Sequence, residues 1–331
     1  MKLATLKTNG RDGKLVIVSR DLARIVDAQP IARTMQEAIE RWGSVAPALR
    51  ERYDALNAGS LPEARTFDPR QAAAPFPRAY QFVDASAFQN HGDIMEQAYK
   101  VTVKKTPGVP ILIQRQADDL RGPHDDYPYL SEDDNGDFEG EFAVILDDVP
   151  MGADPAQALE HVKLVTIFND VSMRAHLFRE LSMGFGFIQA KPASAFAPVA
   201  VTPDELGEAW HDGRIHLDMQ VERNGVWFGN PNGREMDFGF GELIAHLSYN
   251  RNLRAGTIIG SGTVSNKAYK EVGSACLAER RATELIDDGH SSTPFLRFGD
   301  RLRFEVKGID GTSVFGAIDH CFVPAGGKVS Q

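Results

Sequence analysis

The segment DFEGEFAVIL, residues 137–146, restricts the fold more than any other stretch of this chain. Side chains on an extended backbone alternate between faces, so Asp137, Glu139 and Glu141 are expected to project from one side and Phe138 and Phe142 from the other. The alternation then gives way to the apolar run Ala143-Val144-Ile145-Leu146, which suits a strand whose second half is anchored in a core. Glu139 and Glu141 stand close enough on one strand face to share a cation. All-oxygen ligation of that kind suits Mg²⁺, Ca²⁺ or Mn²⁺ better than zinc. An isolated Glu-x-Glu is more often an exposed acidic face, so the pair needs further support.

Other patterns set the frame around this strand. LATLKT and KLVIV flank the turn signals Asn9-Gly10 and Asp12-Gly13, which predicts a hairpin over residues 3–18. Met35, Ile39, Trp42, Leu49, Tyr53 and Leu56 recur at helical spacing, predicting a helix over about 34–56 that Pro47 breaks or kinks. Between Gly59 and Arg78 the periodicity fades, and Pro62, Pro69, Pro75 and Pro77 mark a linker. The boundary therefore separates a small N-terminal domain, residues 1–75, from a larger domain, residues 76–331. In the larger part Ile215, Leu217, Met219 and Val221 alternate up to Asn224-Gly225, and VWFG returns as the second arm of a hairpin. Leu302, Phe304 and Val306 repeat the alternation. Helices are expected near PDELGEAW at 203 and after Asp237, where Phe240, Leu243, Ile244 and Leu247 follow the i, i+3, i+4, i+7 rule. The expected class is β-rich α+β.

Composition narrows the function classes. With a net charge of −10 and a pI near 5.4, the chain offers no broad basic surface for nucleic acid or anionic membrane. Cys276 and Cys321 are isolated, so neither a disulfide framework nor a thiolate metal site is indicated. The N-terminal MKLATLKTNGRDGKLVIV lacks an apolar signal-peptide core, and no run approaches the ~20 apolar residues of a membrane span. These features lead to the expectation of a soluble cytoplasmic protein.

Two more acids stand where apolar runs end: Asp84 in YQFVDASAFQNH and Asp170 in VTIFNDVSMR. Taken singly, each could be a helix N-cap, which an Asp before a helical segment usually is. In order along the chain, however, YQFVDASAFQNH, DFEGEFAVILDDVPMG, FNDVSMR, QAKPASAFAPVAVTPDEL and LRAGTIIGSGTVSN resemble the motifs of the fumarylacetoacetate hydrolase family. The resemblance covers the whole larger domain, and the part before the linker looks like the small N-terminal domain of the fumarylacetoacetase-like members. It implies a catalytic domain of mixed β-sandwich or roll type.

By resemblance, a divalent ion is held by the aspartate of D-x₆-H, both glutamates of D-x-E-x-E and the aspartate of N-D-x-S, here Asp84, Glu139, Glu141 and Asp170. Asp137 matches no ligand of that set and is expected outside the coordination sphere. His91 matches the general base, for which imidazole is suited by its titration range near neutrality. Glu279, in GSACLAE, is its candidate carboxylate partner, with a helix-surface acid as the ordinary alternative. Lys191 and Arg174 match positions that polarise the attacked carbonyl, and Thr263 a position that touches substrate. Gly260 and Gly262 belong to neither nucleotide-binding glycine motif and instead mark tight backbone at a pocket.

The implied activity is metal-dependent hydrolysis of a C–C bond in a β-diketo acid, with fumarylacetoacetate to fumarate and acetoacetate, a step of tyrosine degradation, foremost. The chain departs from the fumarylacetoacetase pattern at Ile113 and Arg115, in PILIQRQADD, and at Leu177, which are expected to alter substrate contacts or oxyanion donors. Alternatives on the same platform are acylpyruvate or fumarylpyruvate hydrolysis, oxaloacetate decarboxylation, and keto-acid isomerisation or hydration. A metal-stabilised binding module is the alternative of a different class. A homodimer is expected by resemblance.

Overall fold

The Asn9-Gly10 and Asp12-Gly13 turn closes the expected N-terminal hairpin, Lys2–Leu6 against Lys14–Val18. Gly13 is required there: its φ is +61°, and a Cβ would lie 2.4 Å from Cγ2 of Thr5. The structure, a computed structural model, describes residues 1–100 and 105–326. The helical periodicity after residue 34 becomes two helices, Met35–Glu40, capped by Thr34, and Trp42–Asn57. The break falls at Arg41, with φ −115° and ψ 20°, and not at Pro47, which lies inside the second helix. Val45, Leu49, Tyr53 and Leu56 form the buried face of that helix.

The Pro-rich stretch 59–78 carries backbone pairing that composition did not signal. Arg65–Thr66 adds a strand to Arg24–Asp27, and the Ala73 N–H donates to the carbonyl of Thr5. Two further expectations change in detail. Ile215 belongs to a short strand, Arg214–Ile215, paired with Trp210–His211, so the hairpin consists of Met219–Arg223 and Val226–Gly229 only. The segment from Pro203 is a 3₁₀ turn interrupted at Gly207, whose φ of 53° and ψ of −130° take it out of helical space. The helix after Asp237 forms as read, over Phe240–Leu247, and buries Phe240, Leu243, Ile244 and Leu247.

These elements assemble on an eleven-stranded sheet. Its order is Arg65–Thr66, Arg24–Asp27, Lys14–Val18, Lys2–Leu6, Val199–Val201, Val162–Asn169, Gly140–Leu146, Ile258–Gly260, Phe82–Ala85 and Leu112–Gln114, with Ala195–Phe196 also paired to Val162–Asn169. The N-terminal hairpin thus continues the central sheet by pairing Lys2–Leu6 with Val199–Val201. A five-stranded sheet, ordered Val226–Gly229, Met219–Arg223, Arg301–Val306, Ile318–Pro324 and Tyr127–Tyr129, packs its apolar face into the same core as Phe142, Val144 and Leu146. The other face of the central sheet carries Ala143, Ile145, Leu164 and Phe168 beneath Leu49, Tyr53 and Leu56 of the helix Trp42–Asn57. The result is the expected β-rich α+β architecture. Among the described residues no helix is long and apolar enough to cross a membrane.

Strand alternation decides where the acids go. Glu141 is opposite Phe168 in the antiparallel register, and Asp84 lies two residues beyond Phe82. Both acids therefore share the face occupied by the aromatic trio Phe82, Phe168 and Phe196, whose ring centroids lie 5.2–5.7 Å apart.

Candidate metal centre and active site

Asp84 on the strand Phe82–Ala85, Glu141 on Gly140–Leu146 and Asp170 directly after Val162–Asn169 come together, with one oxygen of each within 4.8 Å of the others. The strand Ile258–Gly260 runs between two of the contributors and must be thin at its end. A Cβ on Gly260 would lie 2.4 Å from Oδ1 of Asp84 and 2.7 Å from Cζ of Phe168. Gly262, at φ +80°, donates its N–H to Oδ1 of Asp84 at 3.2 Å. The glycines mark tight backbone around the acids, as read from the sequence. Thr263, the expected substrate contact, follows directly and is buried.

Glu139 has different surroundings. DFEGEF is not one continuous strand: Gly136–Asp137 pairs with Ser172–Met173, Glu139 bridges to Cys276, and the long strand starts at Gly140. The expectation that Asp137, Glu139 and Glu141 line one uninterrupted face is corrected by this break. Glu139 accepts from Nζ of Lys191 at 2.7 Å, from Nη2 of Arg174 and from Oγ of Ser172 at 3.2 Å, while its N–H donates to Oδ1 of Asn169 at 3.1 Å. Lys191 is buried and not solvated, and its ammonium bridges Glu139 to Oδ2 of Asp170 at 2.6 Å.

The carboxyls titrate accordingly. Burial, then the charge of Asp170, pushes Asp84 up to about 6. Burial and the charges of Asp84, Asp170 and Glu139 push Glu141 well above the usual carboxyl range. Burial acts the same way on Glu139, yet Lys191 and Arg174 outweigh it and hold this carboxyl well below that range. Burial disfavours the Lys191 charge, but Asp170 and Glu139 reverse the effect and raise its pKa.

Glu141 tests whether the cluster suits a cation. Both of its oxygens are buried without a hydrogen-bond donor among the described residues. Protonated, it can donate to Asp84; ionised, it has no protein partner and needs a positive charge nearby. An oxygen-only set of Asp84, Glu141 and Asp170 fits a hard divalent ion such as Mg²⁺, Ca²⁺ or Mn²⁺, whereas Glu139, expected as a fourth ligand, lies outside this set and is held by Lys191, Arg174 and Ser172.

His91 and Glu279, 188 residues apart in sequence, meet through a 2.8 Å contact between Nδ1 and Oε2. His91 lies on the helix Gln89–Tyr99, and Glu279 is the third residue of the helix Leu277–Asp288. Glu279 is fully buried, which excludes the helix-surface alternative. An ionised carboxylate only accepts, so Nδ1 carries the proton and Nε2 presents its lone pair. His91 is among the groups close enough to act electrostatically on Glu139, which places the imidazole beside the acidic cluster.

The departures from the resembled pattern fall in different places. Ile113 is opposite Asp84 in the strand register and half-buried. Leu177 is half-buried on the helix Arg174–Met183. Arg115, expected to alter substrate contacts or oxyanion donors, instead turns its guanidinium inward. It pairs with Oδ1 of Asp170 and donates to the carbonyls of Lys191 at 2.8 Å and Pro192 at 3.1 Å and to Oγ of Ser194 at 3.2 Å. Ser194 in turn donates to Oδ1 of Asp170 at 3.0 Å. Neither role was apparent in the sequence, because an arginine in an extended stretch and a serine in KPAS carry no periodic signal.

A sequence model of the fumarylacetoacetate (FAA) hydrolase C-terminal domain matches residues 81–319, and one of fumarylacetoacetase N-terminal domain 2 matches residues 1–78. Over 160 residues the chain is 29% identical to a 2,4-didehydro-3-deoxy-L-rhamnonate hydrolase from Sphingomonas sp. (strain SKA58), covering 47% of this chain and 53% of that one. The chain thus spans about half the length of the curated relatives it matches. Its fold is similar to a fumarylacetoacetate hydrolase from Exiguobacterium antarcticum, with a TM-score of 0.66, 18% identity and coverage of 98% and 99% of the two chains. It is similar as well to the maleylpyruvate hydrolase from Sphingobium sp. SYK-6 in complex with manganese(II) and pyruvate, with a TM-score of 0.65, 18% identity and the same coverage. The acids, the histidine and the sheet that positions them are therefore those of a chain that belongs to the fumarylacetoacetate hydrolase family.

Proposed function

We propose that this protein hydrolyses a C–C bond in a β-diketo acid with the help of a divalent ion, fumarylacetoacetate being the first candidate substrate. The observation that carries the reading is the His91–Glu279 pair set beside buried acids, one of which, Glu141, has no hydrogen-bond donor among the described residues. Asp84, Glu141 and Asp170 would hold a divalent ion, which when bound would supply Lewis acidity for a dicarbonyl substrate. Nε2 of His91 takes a proton from water, and Glu279 stabilises the imidazolium that results. Lys191 and Arg174 place positive charge where an acyl oxygen becomes negative, a contribution of about 3 kcal/mol for one well-placed donor. Nε and Nη2 of Arg174 are held by Asp137 and Glu139, which leaves Nη1 for the substrate.

The hydrolase relative and the manganese- and pyruvate-bound neighbour support the reading by analogy. The working form in this proposal is a cytoplasmic homodimer. Assay of fumarylacetoacetate, acylpyruvates, fumarylpyruvate and oxaloacetate with Mg²⁺ or Mn²⁺ tests it. Ion-dependent cleavage of a diketo acid is expected, and removal of the ion by chelation abolishes it. Ion binding without turnover of any of these acids would instead favour a metal-stabilised binding module.

A further inference from the structure

Asp137, the first acid of DFEGEF, is fully buried and among the described residues accepts four hydrogen bonds, against three at Glu139 and none at Glu141. Oδ1 accepts from the N–H groups of Phe138 at 2.7 Å and Leu277 at 2.8 Å. Oδ2 accepts from the N–H of Ala278 at 2.9 Å and from Nε of Arg174 at 2.8 Å. Leu277 and Ala278 open the helix Leu277–Asp288, where backbone N–H groups have no partner within the helix. The next residue is Glu279, which holds His91. The other end of the fork on Arg174, Nη2, binds Glu139.

We infer that Asp137 is a positioning residue that fixes, through one carboxylate, both the helix start that presents Glu279 to His91 and the guanidinium of Arg174. The inference rests on the roles proposed above for His91 and Arg174. A helix-capping anchor alone would account for the two backbone contacts at Leu277 and Ala278 but not for Arg174. The side-on grip at Nε leaves Arg174 able to rotate only about that bond, so its remaining donors keep a fixed direction. Because both arms end on the same carboxylate, displacement of one is felt at the other.

Asp137→Asn tests the coupling. Each carboxylate oxygen meets two donors, so an asparagine must turn its own NH₂ against two N–H groups in either orientation. The expected result is a ~10²-fold fall in kcat, the size of effect that accompanies slight misplacement of reacting groups, with KM within ~3-fold. Combined with Glu279→Gln or Arg174→Lys, D137N should add little to either single loss, since the partners act as a unit. Full additivity in both cycles, or a kcat within ~3-fold of wild type, overturns the inference. If D137N does not fold, Asp137→Ser serves, because one oxygen in place of two cannot hold both arms. A measurement without turnover separates this claim from the functional proposal: the Leu277 and Ala278 amides and the Arg174 Nε–H should give slowly exchanging NMR signals in wild type. All three should exchange faster together in D137N. Loss of protection at the amides with Arg174 Nε–H unchanged identifies a helix cap alone and overturns the inference even if wild type cleaves none of the acids offered.

Discussion

Asp84→Asn separates what this carboxyl does to the fold from what it does for an ion, because the two effects have opposite signs. Asp84 is 3% exposed, so its linkage to folding needs little discount for solvent screening. Burial and Asp170 raise its pKa from 3.8 to about 6. The folded chain therefore keeps this proton longer than the unfolded chain does. The stability it contributes is fully present below about pH 4 and is lost as the pH rises through about 6. At about 1.4 kcal/mol per unit, the loss approaches 3 kcal/mol. Asparagine does not titrate, its oxygen can keep the Gly262 N–H, and its amide can donate to Glu141. Melting curves in chelator from about pH 4 to about pH 8 should therefore show D84N gaining on wild type by about 3 kcal/mol, or ~6 °C at about 2 °C per kcal/mol. Divalent ion at ~100 times its Kd should then stabilise wild type by about 2.7 kcal/mol and leave D84N nearly unmoved, closing or reversing the gap. Parallel pH profiles in chelator, or equal ion-induced shifts in both proteins, would refute the reasoning.

His320 acts in the opposite direction. It is buried beside Asn169, and burial lowers its pKa from 6.5 to about 4, so its contribution is complete above about pH 6.5 and is lost as the pH falls through about 4, a change of about 3 kcal/mol. His320→Gln should flatten the acid limb of the stability curve, and an unchanged limb counts against this assignment. Gly260→Ala places a Cβ 2.4 Å from Oδ1 of Asp84. It should cost about 1–3 kcal/mol in denaturant unfolding and weaken Mn²⁺ binding; wild-type values for both would mean that Asp84 moves aside freely. His91→Ala should lower kcat by ~10²–10⁴-fold while Mn²⁺ affinity is nearly retained, and wild-type turnover would remove His91 as the base.

The parts of this fold that could be read in the sequence are those made by local chemistry. Asn224-Gly225 supplies the two positive φ values, 56° and 73°, that its tight hairpin needs. Phe240, Leu243, Ile244 and Leu247 supply a helical stripe that survives folding unchanged. Backbone pairing that uses no particular side chain left no trace, as at Arg65–Thr66 within the Pro-rich stretch. The site divides along the same line. Asp84 and Asp170 each looked like a helix cap until the order of motifs along the chain gave them a common purpose. Arg115 reaches Asp170 across 55 residues, a contact that no local pattern encodes.

The three acids of DFEGEF show why spacing alone does not assign roles. A strand places residues two apart on one face, but the break between Asp137 and Gly140 puts the three carboxylates in different surroundings. Asp137 is saturated by backbone N–H groups and one arginine nitrogen, and Glu139 is held between Lys191 and Arg174. Glu141 has no donor among the described residues. The charge around the site is therefore graded, from cations at Arg174, Lys191 and Arg115 to unneutralised carboxyls at Asp84 and Glu141. In the proposed reaction such a gradient orients an asymmetric substrate before any bond changes. The oxygen that gains negative charge belongs at the lysine and arginine end, and the dicarbonyl oxygens that need a Lewis acid belong at the Asp84 and Glu141 end. Reversing the charge at either end should therefore misorient the substrate even where the fold and the other end remain intact.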